Sequence, residues 1–163
     1  MKPKRDLHNR VLAIAPSYRG FGFAMMDGDA LVDWGVSMVT KDKNVRCLSK
    51  VESFLDHYQP DLMAMENYAH SRRSPQIRTL VRQITKLAAS RDIRVKLFTR
   101  GQINRAFCAN DRGSKNALAE AVAKRFPDEL GFRLPPKRRP WMSEDYRMDI
   151  FDAAAFGLMA RLA

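Results

Sequence analysis

The chain has 163 residues, enough for one ordinary domain whose core needs neither disulfides nor a structural metal. Its 29 lysine and arginine residues against 18 acids give a net charge of +11, which makes a polyanion, nucleic acid first, the expected partner. No apolar run reaches the roughly 18 residues that span a bilayer. Cys47 and Cys108 show neither disulfide nor zinc spacing, and the first ten residues lack the apolar stretch of a secretory signal.

The first third of the chain predicts three consecutive strands. Arg10 to Ala15 is a short apolar run that Pro16 interrupts, the pattern of a buried strand that ends in a turn. Two further strands, Gly20–Met26 and Leu31–Val39, flank an Asp-Gly pair of the kind that tight hairpin turns need. We therefore predict that the first sheet neighbours are made without a crossover helix.

Alternating helices and strands follow. Apolar residues at three- and four-residue spacing predict a helix from Asn44 to Tyr58, and the apolar run Leu62–Glu66 predicts a strand that ends in a carboxylate. After a basic loop, Pro75 begins a second helix with one apolar stripe, which extends to Arg91. The remaining predicted elements are a strand at Val95–Phe98, a short helix at Gln102–Phe107, a helix from Ser114 to Phe126 ended by Pro127, an irregular basic loop at Gly131–Trp141, and a last helix from Ser143.

This order of elements excludes a doubly wound fold, because three strands precede the first crossover helix. It fits an α/β protein with a mixed five-stranded sheet and helices on both faces, which is the order of ribonuclease-H-like proteins. We predict one domain over residues 1–163, in which residues 1–9 form a flexible basic N-terminus.

Three carboxylates stand out in this basic chain. Glu66 ends a strand, while Asp149 and Asp152 are three residues apart and so share one face of a mostly apolar helix. Each acid taken alone is more often a helix cap or a solvated group. Together they favour a site for two divalent metal ions, since hard ions prefer carboxylate oxygens. Two metal ions held close together promote the hydrolysis of phosphodiesters.

Five segments carry a resemblance to RuvC-type Holliday-junction endonucleases: RVLAIAPSYRGFGFA, LVDWG, PDLMAMENY, DRGSKNALAEAV and DIFDAAAFGLMA. They are spread from end to end of the chain. In that family the corresponding carboxylates bind metal, and the matching residues here are Glu66, Asp149 and Asp152. Ala15 occupies the position of the family's first aspartate, which bridges both ions.

The resemblance implies a homodimeric endonuclease that cleaves four-way DNA junctions in recombination and repair, with Mg²⁺ or Mn²⁺ and without a nucleotide cofactor. The helix that begins at Pro75 is expected to form the dimer, and the protein is expected to be cytoplasmic and nucleoid-associated, with no membrane partner. Because Ala15 lacks the bridging carboxylate, we expect a rate loss of roughly 10²-fold or more. The substitution Ala15→Asp is then expected to create magnesium-dependent junction cleavage.

Two other functions stay open at this point. The chain could bind DNA junctions without cleaving them, with Ala15 as its native signature, or it could be a ribonuclease-H-like enzyme on RNA or RNA·DNA hybrids, since a fold does not fix a substrate.

Further residues are candidates for DNA contact. The resemblance places Lys115 near the scissile phosphate, where it is expected to act with the three acids in catalysis. Tyr68 lies where the family uses an aromatic ring against the junction point, and a ring can stack on an unpaired base. Basic loops and helix ends supply the other candidates, whose alternative interpretation is a solvated surface: Arg72, Arg73, Arg105, Arg112, Lys137, Arg138 and Arg139.

Overall fold

A central mixed sheet organises the fold. The computed structural model describes residues 10–68, 74–108, 115–136, 141 and 145–162. The strands are β1 (Arg10–Ser17), β2 (Gly20–Asp27), β3 (Ala30–Met38), β4 (Leu62–Glu66) and β5 (Arg94–Phe98). Their order in the sheet is β3-β2-β1-β4-β5, in which β1 pairs antiparallel with β2 and parallel with β4. The predicted mixed five-stranded α/β sheet is confirmed.

Helices cover both faces of this sheet. They are α1 (Lys43–Tyr58), α2 (Pro75–Ser90), α3 (Arg100–Cys108), α4 (Lys115–Arg125), α5 (Pro127–Leu130) and α6 (Met148–Leu162), with a 3₁₀ turn at Gly131–Arg133. One face packs against α1 and α2, and the other against α6 with α3 and α4. Among the described residues, none of these helices has both the length and the apolar character to cross a bilayer.

The alternation of side chains along β1 divides the core in two. Ala13 and Ala15 face α6, whereas Leu12 and Ile14 face α1 and α2, and all four are buried. The residues towards α6 are small, so this helix lies close to the sheet. That close approach matters for the site, because α6 carries two of the three predicted metal ligands.

The end of β1 and the segment after α4 differ from the prediction. Strand β1 continues through Pro16 to Ser17, which is possible because its ladder with β4 ends at Ala13, so the missing proline N–H costs no bond on that side. Pro127 ends α4 but also begins the one-turn helix α5, and a 3₁₀ turn occupies part of the segment predicted to be irregular.

The last helix also begins later than predicted. It starts at Met148 rather than at Ser143, which lies outside the described residues. Before it, the guanidinium of Arg147 pairs with the carboxylate of Asp145 at 2.8 Å, and the Met148 amide donates to the Asp145 carbonyl. Asp145 and Arg147 therefore form a turn before the helix, although the sequence predicts them in its first turn.

Candidate active site at the carboxyl edge of the sheet

Three parallel strands end side by side at one edge of the sheet. Ala13 of β1 pairs with Ala64 of β4, and Glu66 of β4 pairs with Phe98 of β5. Two residues further along each strand, the same register places Ala15 of β1 beside Glu66 of β4. Because side chains alternate along a strand, both point to the face that α6 covers. The predicted site residues of β1 and β4 therefore lie together at this edge of the sheet.

Helix α6 adds two acids at this edge. Asp149 and Asp152 are 8% and 5% exposed, and Glu66 is 5% exposed. Gly22, the cross-strand partner of Ala15, makes the close packing possible: a Cβ at Gly22 would come within 2.4 Å of the Asp149 carbonyl. Asp149 lies in the first turn of α6, where the positive end of the helix dipole stabilises a carboxylate.

Arg100 lies between two of these acids, and sequence reasoning did not identify it. Its Nη1 is 2.9 Å from Asp152 Oδ1 and its Nη2 is 3.2 Å from Asp152 Oδ2, a two-point contact. The same Nη2 is 2.9 Å from Glu66 Oε1. One guanidinium thus joins the end of β4 to the first turns of α6.

A capping box holds Arg100 at this place. The Thr99 amide donates to Gln102 Oε1 at 2.8 Å, and the Gln102 amide donates to Thr99 Oγ1 at 3.2 Å. These bonds turn the chain from β5 directly into α3 and make Arg100 the first helical residue. A cation there is unfavourable next to the helix's positive end, so the two ion pairs are what stabilise it.

The electrostatics of Arg100 reflect this competition. Burial acts to lower the pKa of its guanidinium, but the charges and hydrogen bonds of Asp152, followed by the charge of Glu66, outweigh burial and raise the pKa above the ordinary arginine value. The guanidinium also lies 5.9 Å from the centre of the Phe156 ring on α6. Arg100 is therefore a permanent positive charge inside the acidic cluster.

Lys115 supplies a second cation to the same cluster. It is the first residue of α4, and its Nζ lies 3.8 Å from Asp152 Oδ2. The structure thus places Lys115 beside one of the acids with which it was predicted to act, rather than on a remote surface.

Solved structures of Holliday-junction resolvases share this architecture. RuvC from Thermus thermophilus in complex with a Holliday junction substrate matches with a TM-score of 0.67 at 18% identity, over 95% of this chain and 96% of that one. The chain has a RuvC-type resolvase fold. The yeast mitochondrial resolvase Ydc2 matches at 0.61 with 11% identity, over 96% of this chain and 80% of that one. The fowlpox virus resolvase, in complex with junction DNA, matches at 0.57 with 15% identity, over 93% and 98%.

No family model matches the sequence, and a search of curated proteins also finds no match. At these identities the structural likeness establishes the fold alone, and it confirms at that level the resemblance drawn from the sequence motifs.

The acids of this RuvC-type fold do not fit a divalent ion as they are arranged. Within the described residues, no three histidine, cysteine, aspartate or glutamate side chains are grouped so that they could hold a metal. Mg²⁺ requires oxygen ligands at about 2.0–2.1 Å in a near-octahedral shell. Here the guanidinium nitrogens of Arg100 contact the carboxylates of Glu66 and Asp152, and Ala15 contributes no oxygen.

The other predicted DNA contacts are distributed differently. Tyr68 is 4% exposed and borders a cavity of about 510 Å³ that Arg78, Arg82 and Leu97 also line. Its ring is not presented on the surface, so stacking stays a prediction that requires a base to enter the cavity. Arg105 is exposed on α3 and donates to the Gly101 carbonyl at 3.4 Å. The remaining candidates lie outside the described residues: Arg72, Arg73, Arg112, Lys137, Arg138 and Arg139.

One sequence signal could have identified Arg100. Thr99-Arg100-Gly101-Gln102 has the spacing of a capping box and directly follows the predicted strand Val95–Phe98. The structure pairs that strand parallel with β4, so the first residue of the helix lies near Glu66. The prediction of a short helix from Gln102 obscured this, because it began the helix two residues late.

Proposed function

We propose that the chain binds branched DNA, with the four-way junction as its preferred form, and that it binds without metal-dependent hydrolysis. The observation that supports this most strongly is Arg100, whose guanidinium contacts both Glu66 and Asp152 where a nuclease of this fold needs a metal ion. Ala15 agrees with it, since the aspartate expected there by resemblance is missing. A site that lacks one carboxylate ligand and holds a cation is suited to binding phosphate rather than to activating water.

Charge supports DNA as the partner. The net charge of +11 favours a polyanion. Within the cluster itself, the cations of Arg100 and Lys115 offset two of the three carboxylates, so a phosphate can approach an edge that three buried acids alone would make strongly repulsive. Two of the solved structures with this fold were determined with junction DNA.

A homodimer is part of the proposal. A four-way junction has two equivalent pairs of arms, and a two-fold symmetric dimer presents two equivalent surfaces to them. Sedimentation of the protein alone and on a junction tests this part separately from affinity.

Fluorescence anisotropy tests the binding proposal. The probes are a four-way junction, a linear duplex of the same length, a single strand and an RNA·DNA hybrid, each measured over a series of salt concentrations in EDTA. We expect the junction to bind most tightly, with affinity that falls steeply as salt rises because phosphate contacts release counterions. Equal affinity for junction and linear duplex contradicts the proposal, and a preference for the hybrid supports the ribonuclease-H-like alternative.

A second candidate function is metal-dependent junction cleavage, and the specific observation in its favour is that three buried carboxylates persist at one edge. Burying carboxylates is costly unless they bind a metal or pair with a cation. Incubation of an end-labelled junction with Mg²⁺ or Mn²⁺ decides between the candidates. Symmetric nicks from the unaltered chain favour the nuclease, whereas an intact junction that is nevertheless bound favours the binding protein.

A further inference from the structure

We infer that Arg100 is a built-in substitute for a divalent cation: it neutralises Glu66 and Asp152, keeps metal ions out of the acidic cluster, and lets a DNA phosphate approach without metal. The part of this inference that concerns DNA depends on the proposed function. The part that concerns metal does not, and it can be tested on the protein alone.

The geometry supports exclusion of metal. Both carboxylates give their oxygens to the same guanidinium, with three nitrogen–oxygen distances between 2.9 and 3.2 Å. A divalent ion that bridged Glu66 and Asp152 would have to displace these nitrogens, and two positive groups cannot share the space between the acids. Because arginine does not deprotonate in proteins, no accessible pH removes this competitor.

The surroundings of Arg100 also suit a site that faces DNA. The side chain is 28% exposed, while the carboxylates of Glu66 and Asp152 are 6% and 7% exposed. The guanidinium therefore contacts buried acids while part of the side chain is open to solvent. Lys115, whose Nζ lies 3.8 Å from Asp152 Oδ2, has a similar exposure of 35%. A phosphate at this opening would meet two cations beside the buried carboxylates.

A second arginine provides a matched control. Arg91 also bridges two carboxylates, with Nη2 at 3.1 Å from Glu52 and an ion pair to Asp56, but both of those acids are largely exposed. Removal of Arg91 leaves carboxylates that water already solvates, whereas removal of Arg100 takes the nearest counter-charge from two buried ones. Only removal of Arg100 is therefore expected to create a site that binds a metal ion.

Binding of Mn²⁺, followed by electron paramagnetic resonance of the free ion, tests exclusion. We expect no stoichiometric Mn²⁺ binding by the unaltered protein or by Arg91→Ala, and one bound ion in Arg100→Ala. Arg100→Lys is expected to bind none, because it retains the charge. Stoichiometric binding that Glu66→Gln abolishes in the unaltered protein overturns the inference, and so does the absence of binding by a folded Arg100→Ala.

Junction affinity in EDTA and in Mg²⁺, at matched ionic strength, tests the part of the inference that concerns DNA. The unaltered protein is expected to bind equally in both. Arg100→Ala is expected to bind about tenfold or more weakly in EDTA, through the loss of a charge beside the phosphate, and to recover in Mg²⁺. Equal weakening in both buffers contradicts substitution for a metal.

Two precautions keep the outcomes distinct. Circular dichroism establishes that each variant is folded, and Arg100→Gln, which removes the charge but keeps amide donors, replaces Arg100→Ala if the latter unfolds. If the unaltered protein binds no DNA of any form, the proposed function fails, while the Mn²⁺ measurement still decides whether Arg100 excludes metal.

Discussion

Two arginines in this molecule each bridge a pair of carboxylates, and the pairs differ in one respect. Arg100 at the carboxyl edge and Arg91 after α2 are almost equally exposed, at 28% and 30%. The acids differ: those of Arg100 are 6% and 7% exposed, whereas Glu52 and Asp56 are 53% and 64% exposed. The same chemistry thus occurs once with buried anions and once with solvated ones.

This difference decides what each arginine does. Solvated carboxylates lose little when their partner is removed, because water replaces it and salt screens the charge. Buried carboxylates have no such replacement, so their partner is required whether or not the pair adds net stability over an apolar alternative. Arg91 therefore fastens α1 to α2 only weakly, while Arg100 is the nearest counter-charge to two buried carboxylates.

The largest expected effect on stability comes from removing Arg100, with removal of Arg91 as the comparison. We expect Arg100→Ala to lower the free energy of unfolding by about 3 kcal/mol at neutral pH, since it removes the nearest counter-charge of two buried carboxylates, and Arg91→Ala to change it little. Urea denaturation of both variants, at low and high salt, measures this. Equal losses in the two variants would contradict the assignment of different roles to the two pairs.

A smaller effect is expected where the sheet touches α6. Gly22→Ala would place a methyl group within 2.4 Å of the Asp149 backbone, so the helix must shift. We expect a loss of about 2 kcal/mol, in the range of overpacked cores, together with weaker junction binding because Asp149 moves relative to Arg100. Gly131→Ala is the control, since no atom lies within 4 Å of its added methyl and its φ is −57°. A Gly22→Ala protein as stable as this control would show that α6 does not depend on the close approach.

Much of this edge could be predicted from the sequence, and the missing part has a physical cause. Glu66 at the end of an apolar run, and Asp149 with Asp152 at helical spacing, were recognisable because burial and periodicity leave local patterns. The mixed sheet followed from element order. Arg100 leaves only the capping-box spacing of Thr99 and Gln102 in the sequence, because its contact with the acids arises from the parallel pairing of β4 with β5, between residues distant in sequence.

The boundary errors have a similar origin. The prediction that β1 ends before Pro16 follows from the donor that proline removes, yet that donor is not needed where the β4 ladder has already ended. The start of α6 depends on the Asp145–Arg147 pair, a side-chain contact that composition does not specify.

The smallest expected effect concerns a hydrogen bond on the α1 side of the sheet, where Tyr58 donates its hydroxyl to Asp33. Burial, followed by the hydrogen bond and charge of Asp33, raises the pKa of Tyr58 from 10 to about 12. A raised pKa means that the folded protein holds the proton more tightly than the unfolded chain. This contribution to stability is therefore complete below pH 10 and is lost as pH rises towards 12. Tyr58→Phe removes that dependence, so the stability difference between the two proteins should shrink across this interval, while lysine titration affects both alike. A difference that stays constant would show that Asp33 does not retain the tyrosine proton, and that even half-buried pairs on this face behave like the solvated carboxylates of Arg91.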